Sequence, residues 1–162
     1  MESVIASTDL VTRATHQVLR LCWHSRLRSR LFTRNPLTGA QMLVWYGRKL
    51  LLIGNSYRDG LFLPGGGIHC TESAARAAAR ELREETGILI GEQEMCDRGT
   101  VENFIEGVPV RDRIFATALR RYQPPHADER EVVRALFVPL EEALGVDNLG
   151  HLRVFMRPEL VR

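Results

Sequence analysis

Three glutamates, Glu81, Glu84 and Glu85, occupy positions i, i+3 and i+4. On a helix that spacing puts their carboxylates on one side, about one turn apart. Like charges stacked this way repel, and nothing in helix stability asks for them. Arg76, Arg80 and Arg83 run alongside and offset part of the repulsion. Two readings follow. One is a solvated acidic face balanced by arginines. The other is a hard-oxygen site for Mg²⁺ or Mn²⁺, made of carboxylates and a backbone carbonyl, which would remove the repulsion and recruit phosphate. Just upstream, Pro64-Gly65-Gly66-Gly67 offers exposed backbone that a ligand could approach, leading into the helix start. The residues by themselves leave both readings open.

The elements around these glutamates are legible from pattern. Thr71-Glu72-Ser73 opens a helix whose body, residues 74–85, holds no β-branched residue, glycine or proline, and Gly87 supplies a C′ stop. Ala75, Ala78 and Leu82 give it a narrow apolar face for packing on a sheet. Residues 41–46 and 50–57 read as strands around Gly47-Arg48, after a turn cluster at 35–39. The triple glycine reads as a loop. Residues 99–105 and 110–119 suggest a hairpin, and 132–138 a short apolar strand. Pro139 begins a helix with Glu141 and Glu142 in its first turn, where the dipole favours acids. Residues 148–160 are expected to be helical. Near the start, Val11, Ala14, Val18, Leu21 and Cys22 follow helical spacing, so a helical extension over 1–35 should bury this stripe on the 36–162 domain or in a homodimer. Strands interrupted by helices predict an α/β fold with a mixed sheet.

The residues also spell a known pattern. Gly66, five residues, Glu72, seven residues and then Arg80-Glu81-Leu82-Arg83-Glu84-Glu85-Thr86-Gly87-Ile88 resembles the Nudix box at every fixed position. The flanks Leu63-Pro64-Gly65-Gly66-Gly67 and Phe137-Val138-Pro139-Leu140-Glu141-Glu142 are similar to the family as well. The resemblance implies a Nudix-type mixed β-sheet sandwiched between α-helices, here with an extra N-terminal helix. It implies a hydrolase that cuts the pyrophosphate of a nucleoside diphosphate linked to another group. Glu81, Glu84 and Glu85 would then hold Mg²⁺ or Mn²⁺ together with the Gly65 carbonyl, with Arg80 orienting the cluster and Glu72 supporting it. Gly66 and Gly67 would lie against substrate, and Phe104 or Tyr122 would stack a base. A further carboxylate, as base or metal ligand, is expected from residues 128–131; Glu131 fits best and Glu129 second. Many relatives have an acid and a glycine where this chain has His69 and Thr71. Nucleoside triphosphates, dinucleoside polyphosphates and sugar nucleotides all stay open as substrates. The rival readings are a nucleotide-binding module that does not hydrolyse, and an RNA-cap hydrolase that uses a basic N-terminal third.

Composition narrows the class. The chain has 162 residues, 44% hydrophobic and 26% charged, enough for one globular core and unlike a collagen, coiled coil or disordered tail. Cys22, Cys70 and Cys96 are widely spaced with no CxxC, the pattern of reduced thiols. No apolar run approaches the ~20 residues of a membrane helix, and Glu2 and Asp9 stand where a secretory signal carries positive charge. A cytoplasmic protein without a membrane partner is the expectation. Nine cations and no acid lie between Leu10 and Arg58. No RNA-binding aromatic signature accompanies them, so nucleic acid is not an expected partner.

Overall fold

The computed structural model describes residues 12–22, 24–25, 36–105, 107–128 and 130–157. After α1 (residues 12–22) come β1 (Leu37–Tyr46), β2 (Lys49–Asn55), β3 (Gly65–Gly67), α2 (Ala74–Thr86), β4 (Cys96–Ile105), β5 (Val108–Ala118), β6 (Val132–Pro139) and α3 (Leu140–Ala143). Short 3-10 segments cover Glu92–Glu94 and Asp147–Phe155. The strands form one mixed sheet in the order β4-β5-β1-β2-β6, with β3 also on β1. β1 runs parallel to β5 from Leu37↔Val110 to Trp45↔Ala118. Its other edge is shared: β2 pairs at Trp45 and Tyr46, and β3 pairs antiparallel at Gly39, Ala40 and Gln41.

Period-2 alternation sends β1 side chains into two cores. Ala40, Met42 and Val44 meet Leu51, Phe115 and, from α2, Ala77, Ala78 and Leu82. Leu43 and Trp45 meet Leu50, Leu52, Ile114 and Ala116 under a cover of Ala143, Leu149, Leu152 and Met156. The sheet is therefore sandwiched, as expected, and β1 is buried on both faces.

Several boundaries differ from the sequence reading. The triple glycine is a strand, not a loop, because glycine alone can lie so close to β1. A Cβ on Gly65 would come within 2.8 Å of the Gln41 Cα. Residues 37–39 belong to β1 rather than to a turn, since the parallel ladder to β5 uses them. β2 stops at Asn55, where its register against β6 shifts and releases Ser56 and Tyr57. The C-terminal helix is a 3-10 segment ending at Phe155. In α2 the buried face is Ala77, Ala78 and Leu82, with Ala75 only half-buried. The N-terminal stripe stands open in the single chain. Val18 is 57% and Leu21 70% exposed, while Thr12, Thr15, His16 and Leu19 form the shielded side of α1. Val11 lies outside the described residues. No described helix is long and apolar enough to cross a membrane.

Candidate active site

The site is positioned by the junction of β3 and α2. Ser73 caps α2, its hydroxyl accepting from the Arg76 N–H at 3.1 Å, and Gly87 ends the helix at φ 71° with its N–H on the Arg83 carbonyl. Between these stops, Glu81, Glu84 and Glu85 share the side that faces β3. Gly66 lies so close to the Glu81 carboxyl that any Cβ there would collide with it. The Gly65 N–H donates to Glu85 Oε2 at 2.8 Å.

Arg80 ties the cluster together. Its Nε and Nη2 donate to the two oxygens of Glu72 at 3.2 and 2.9 Å, and Nη2 also donates to the Gly67 carbonyl at 3.0 Å. Nη1 is shared by Glu81 at 2.7 Å and Glu84 at 3.1 Å. Glu72 additionally accepts the His69 backbone N–H at 2.9 Å. These bonds, Arg80 first, hold the Glu72 carboxyl down at about 2. His69, whose identity departs from many relatives, serves this support through its main chain.

The three box acids are not equivalent. Glu85 is 7% exposed, and burial pushes its carboxyl well above the ordinary range, helped by the charges of Glu81, Glu131 and Asp128 and opposed by the Gly65 N–H. Glu81 is raised for the same reason, burial outweighing its bonds to Arg80. Glu84 is exposed. Both raised acids feel Glu131, so that residue faces the same space. Its placement comes from a clamp at the start of β6. Asp128 Oδ1 accepts the N–H groups of Arg130, Glu131 and Val132, and the Ser56 N–H donates to the Glu131 carbonyl at 2.8 Å. The Tyr57 hydroxyl stands within hydrogen-bonding reach of the Glu131 carboxylate.

Gly65, Gly66, Gly67, Glu72, Arg80, Glu81, Glu84, Glu85 and Glu131 thus come together. Phe104 does not. It is 70% exposed at the tip of edge strand β4, three strands from β3, or roughly 14 Å of sheet. Glu129 lies outside the described residues. Sequence reasoning missed Asp128 and Tyr57, and it missed Asp112 and Gln41 on β5 and β1. Asp112 carried a readable signal: an acid in the row Val108, Val110, Asp112, Ile114, Ala116, otherwise apolar at every second position. Gln41 Nε2 donates to Asp112 Oδ2 at 2.6 Å. Burial raises the Asp112 carboxyl to about 6, against the favourable effects of Gln41 and Arg58.

That shift makes a stability prediction. An acid raised from 3.8 to about 6 on folding binds its proton more tightly in the native state, so the protein loses stability as pH rises through that window. Asp112→Asn, which keeps the size and an acceptor for Gln41, should raise Tm at pH 8, by up to roughly 3 kcal/mol equivalent. The gain should vanish below about pH 4. Thermal unfolding at the two pH values checks it; an equal effect at both would mean that charge is not the cause.

The residues fit a hard divalent cation. Four carboxylates face one space beside a glycine backbone, two of them buried at an electrostatic cost that a cation would relieve. Among the described residues no three His, Cys, Asp or Glu side chains stand close enough together to hold a metal ion as they are placed. Glu81 and Glu84 turn to Arg80, and Glu85 turns to Gly65.

The family model described as the NUDIX domain matches residues 36–157. Comparison with curated proteins gives no match. Among solved structures, an Ap4A hydrolase binary complex from C. elegans is 19% identical with TM-score 0.64, covering 75% of this chain and 93% of that one. The MutT protein of Methanosarcina mazei Go1 is 25% identical with TM-score 0.63, covering 75% and 91%. The NUDIX domain of Shewanella oneidensis NrtR, complexed with ADP ribose, is 21% identical with TM-score 0.64, covering 74% and 84%. The matched span takes in the whole sheet and the glutamate cluster, and the chain belongs to the Nudix family of hydrolases acting on pyrophosphate bonds.

Proposed function

We propose that this chain hydrolyses a nucleoside diphosphate derivative with Mg²⁺ or Mn²⁺ as cofactor. The observation that carries the reading is the convergence of Glu81, Glu84, Glu85 and Glu131 on the glycine strand, where burial first and neighbouring carboxylates second penalise the charges of Glu81 and Glu85. Glu81, Glu84 and Glu85, with the Gly65 carbonyl, would hold the cation, and Glu131 stands across from them. A divalent ion bound there supplies Lewis-acid polarisation of the phosphoryl oxygens and makes water easier to deprotonate. The chain does the rest. Gly66 and Gly67, without side chains, let the diphosphate approach the β3 backbone. Arg80 keeps Glu81 and Glu84 turned to the site, and Glu72 fixes Arg80. Glu131, held by Asp128 and Tyr57, takes a proton from the attacking water.

A nucleotide panel tests this: nucleoside triphosphates, dinucleoside polyphosphates, ADP-ribose and sugar nucleotides, each with Mg²⁺ or Mn²⁺ and products resolved by chromatography. Cleavage of at least one phosphoric anhydride, abolished by a chelator, is expected. A folded protein that cleaves none with either ion would overturn the reading. Within it, Glu131→Gln should lower kcat by at least ~10-fold and change KM little, as for a group that acts in the transition state. A larger loss in Glu129→Gln would move the role to that residue.

A further inference from the structure

Asp112 is a buried carboxylate that the proposed chemistry does not use. It stands in register with Gly39 on β1, which is in register with Gly67 on β3. Its Oδ1 lies directly over Gly39, where a side chain would strike it, and the Gly66 carbonyl comes within 2.9 Å of the same point. Gly66 in turn abuts Glu81. Asp112 is therefore two strand spacings, about 10 Å, from the glycine strand, on the sheet face opposite α2.

The two oxygens of Asp112 differ. Oδ2 accepts from Gln41. Oδ1 has no hydrogen bond among the described residues, yet it is not sealed in. The buried side-chain atoms lacking a partner among those residues are Trp45 Nε1 and Asn55 Oδ1. An oxygen of a side chain only 9% exposed thus keeps an opening outward. Gln41 gives one Nε2 hydrogen to Asp112 and keeps Oε1 and its second N–H. Asp112 Oδ1 and Gln41 Oε1 are acceptors that favour a ligand edge carrying N–H or O–H groups.

We propose that Asp112 and Gln41 seat the group attached to the diphosphate, recognising donors on its base or its sugar. This rests on the hydrolase reading for the identity of the ligand, and it names a specificity-determining pair for that site. A diphosphate lying on the β3 backbone places the rest of the nucleotide within the distance that separates β3 from Asp112. The base source is a ring N–H with an exocyclic amine, as in guanine; the sugar source is the ribose hydroxyls.

The test uses the full chain with Mg²⁺ and the best substrate of the panel in matched forms: adenine against guanine, and ribose against 2′-deoxyribose. Kd for the same nucleotides is measured by calorimetry alongside kcat/KM. Asp112→Asn and Gln41→Met, each close in size to the residue replaced, should change the guanine-to-adenine or the ribose-to-deoxyribose ratio by at least ~10-fold, mostly through KM and Kd. Which ratio moves identifies the source. If both variants stay folded and scale every form by one common factor, or by none, the pair only supports the sheet and the proposal is wrong. The readings fail separately. Absent hydrolysis with a shifted Kd ratio removes the hydrolase alone, and intact hydrolysis with unmoved ratios removes the seat alone.

Discussion

Glu84→Gln and Glu85→Gln are each expected to lower kcat by at least ~10²-fold while leaving the fold intact. The amide keeps the shape of the side chain, so the loss isolates charge. The two variants should differ in stability. Glu85 is buried and its carboxyl lies well above the ordinary range, chiefly because of that burial. Its ionised form therefore weighs against the metal-free fold. Stability falls as pH rises from the unfolded value towards the raised native one, so Glu85→Gln should melt higher than wild type at neutral pH in the presence of a chelator. The advantage should fade as acid protonates wild-type Glu85. A glutamine oxygen still accepts from the Gly65 N–H, which keeps the comparison clean. Glu84 is half-exposed beside Arg80, and its replacement should move Tm little. Near-normal turnover in both variants would show that the cluster is not the reacting centre.

Arg80→Lys should be nearly as damaging, for a geometric reason. The guanidinium reaches Glu72 with a two-pronged bond and spans Gly67, Glu81 and Glu84 from one plane. An ammonium is a compact charge on a flexible stem and cannot hold that many partners apart. Loss of the fork frees Glu81 and Glu84 to repel, and it leaves Glu72, 13% exposed at the side chain, without its main partner. A fall in kcat of ~10²-fold and a stability loss of about 2 kcal/mol are expected. Steady-state kinetics over a range of Mg²⁺ concentration and denaturant unfolding would measure both. Wild-type kcat in the lysine variant would mean that charge alone suffices and that the fork is dispensable.

The sequence exposed the box because its chemistry is local. Glu72, Arg80, Glu81, Glu84 and Glu85 lie within fourteen consecutive residues, and helix geometry turns their spacing directly into a shared side. The strands 41–46, 99–105 and 132–138 were legible from alternation, and the ends were not. Residues 37–39 read as a turn because Asn-Pro and Thr-Gly punctuate them locally, while the partner that extends them is β5, some seventy residues on. The glycine strand was hidden by the same logic: glycine weakens a strand unless a neighbour demands close approach, and that neighbour is β1. Tyr57, Gln41 and Asp112 act through partners distant in sequence, so no single window contains their role. For Asp112 the interrupted apolar row was visible in the sequence.

The parallel pairing of β1 with β5 also dictates an order of assembly. β1 is buried on both faces, with Ala40, Met42, Leu43 and Val44 all fully shielded, yet its longest ladder waits for residues 110–118. During synthesis the β1–β2 hairpin and α2 emerge first and can bury one face of β1. The edge that β5 will occupy stays open until nearly three-quarters of the chain has been made. For that interval an apolar strand with unpaired N–H and C=O groups is available to any similar strand nearby. The same non-local closure makes folding slow relative to a helical protein of this size, because the loop must be closed before its contacts repay it. The strand on which the glutamate-bearing helix packs is thus also an edge that the nascent chain leaves open to aggregation.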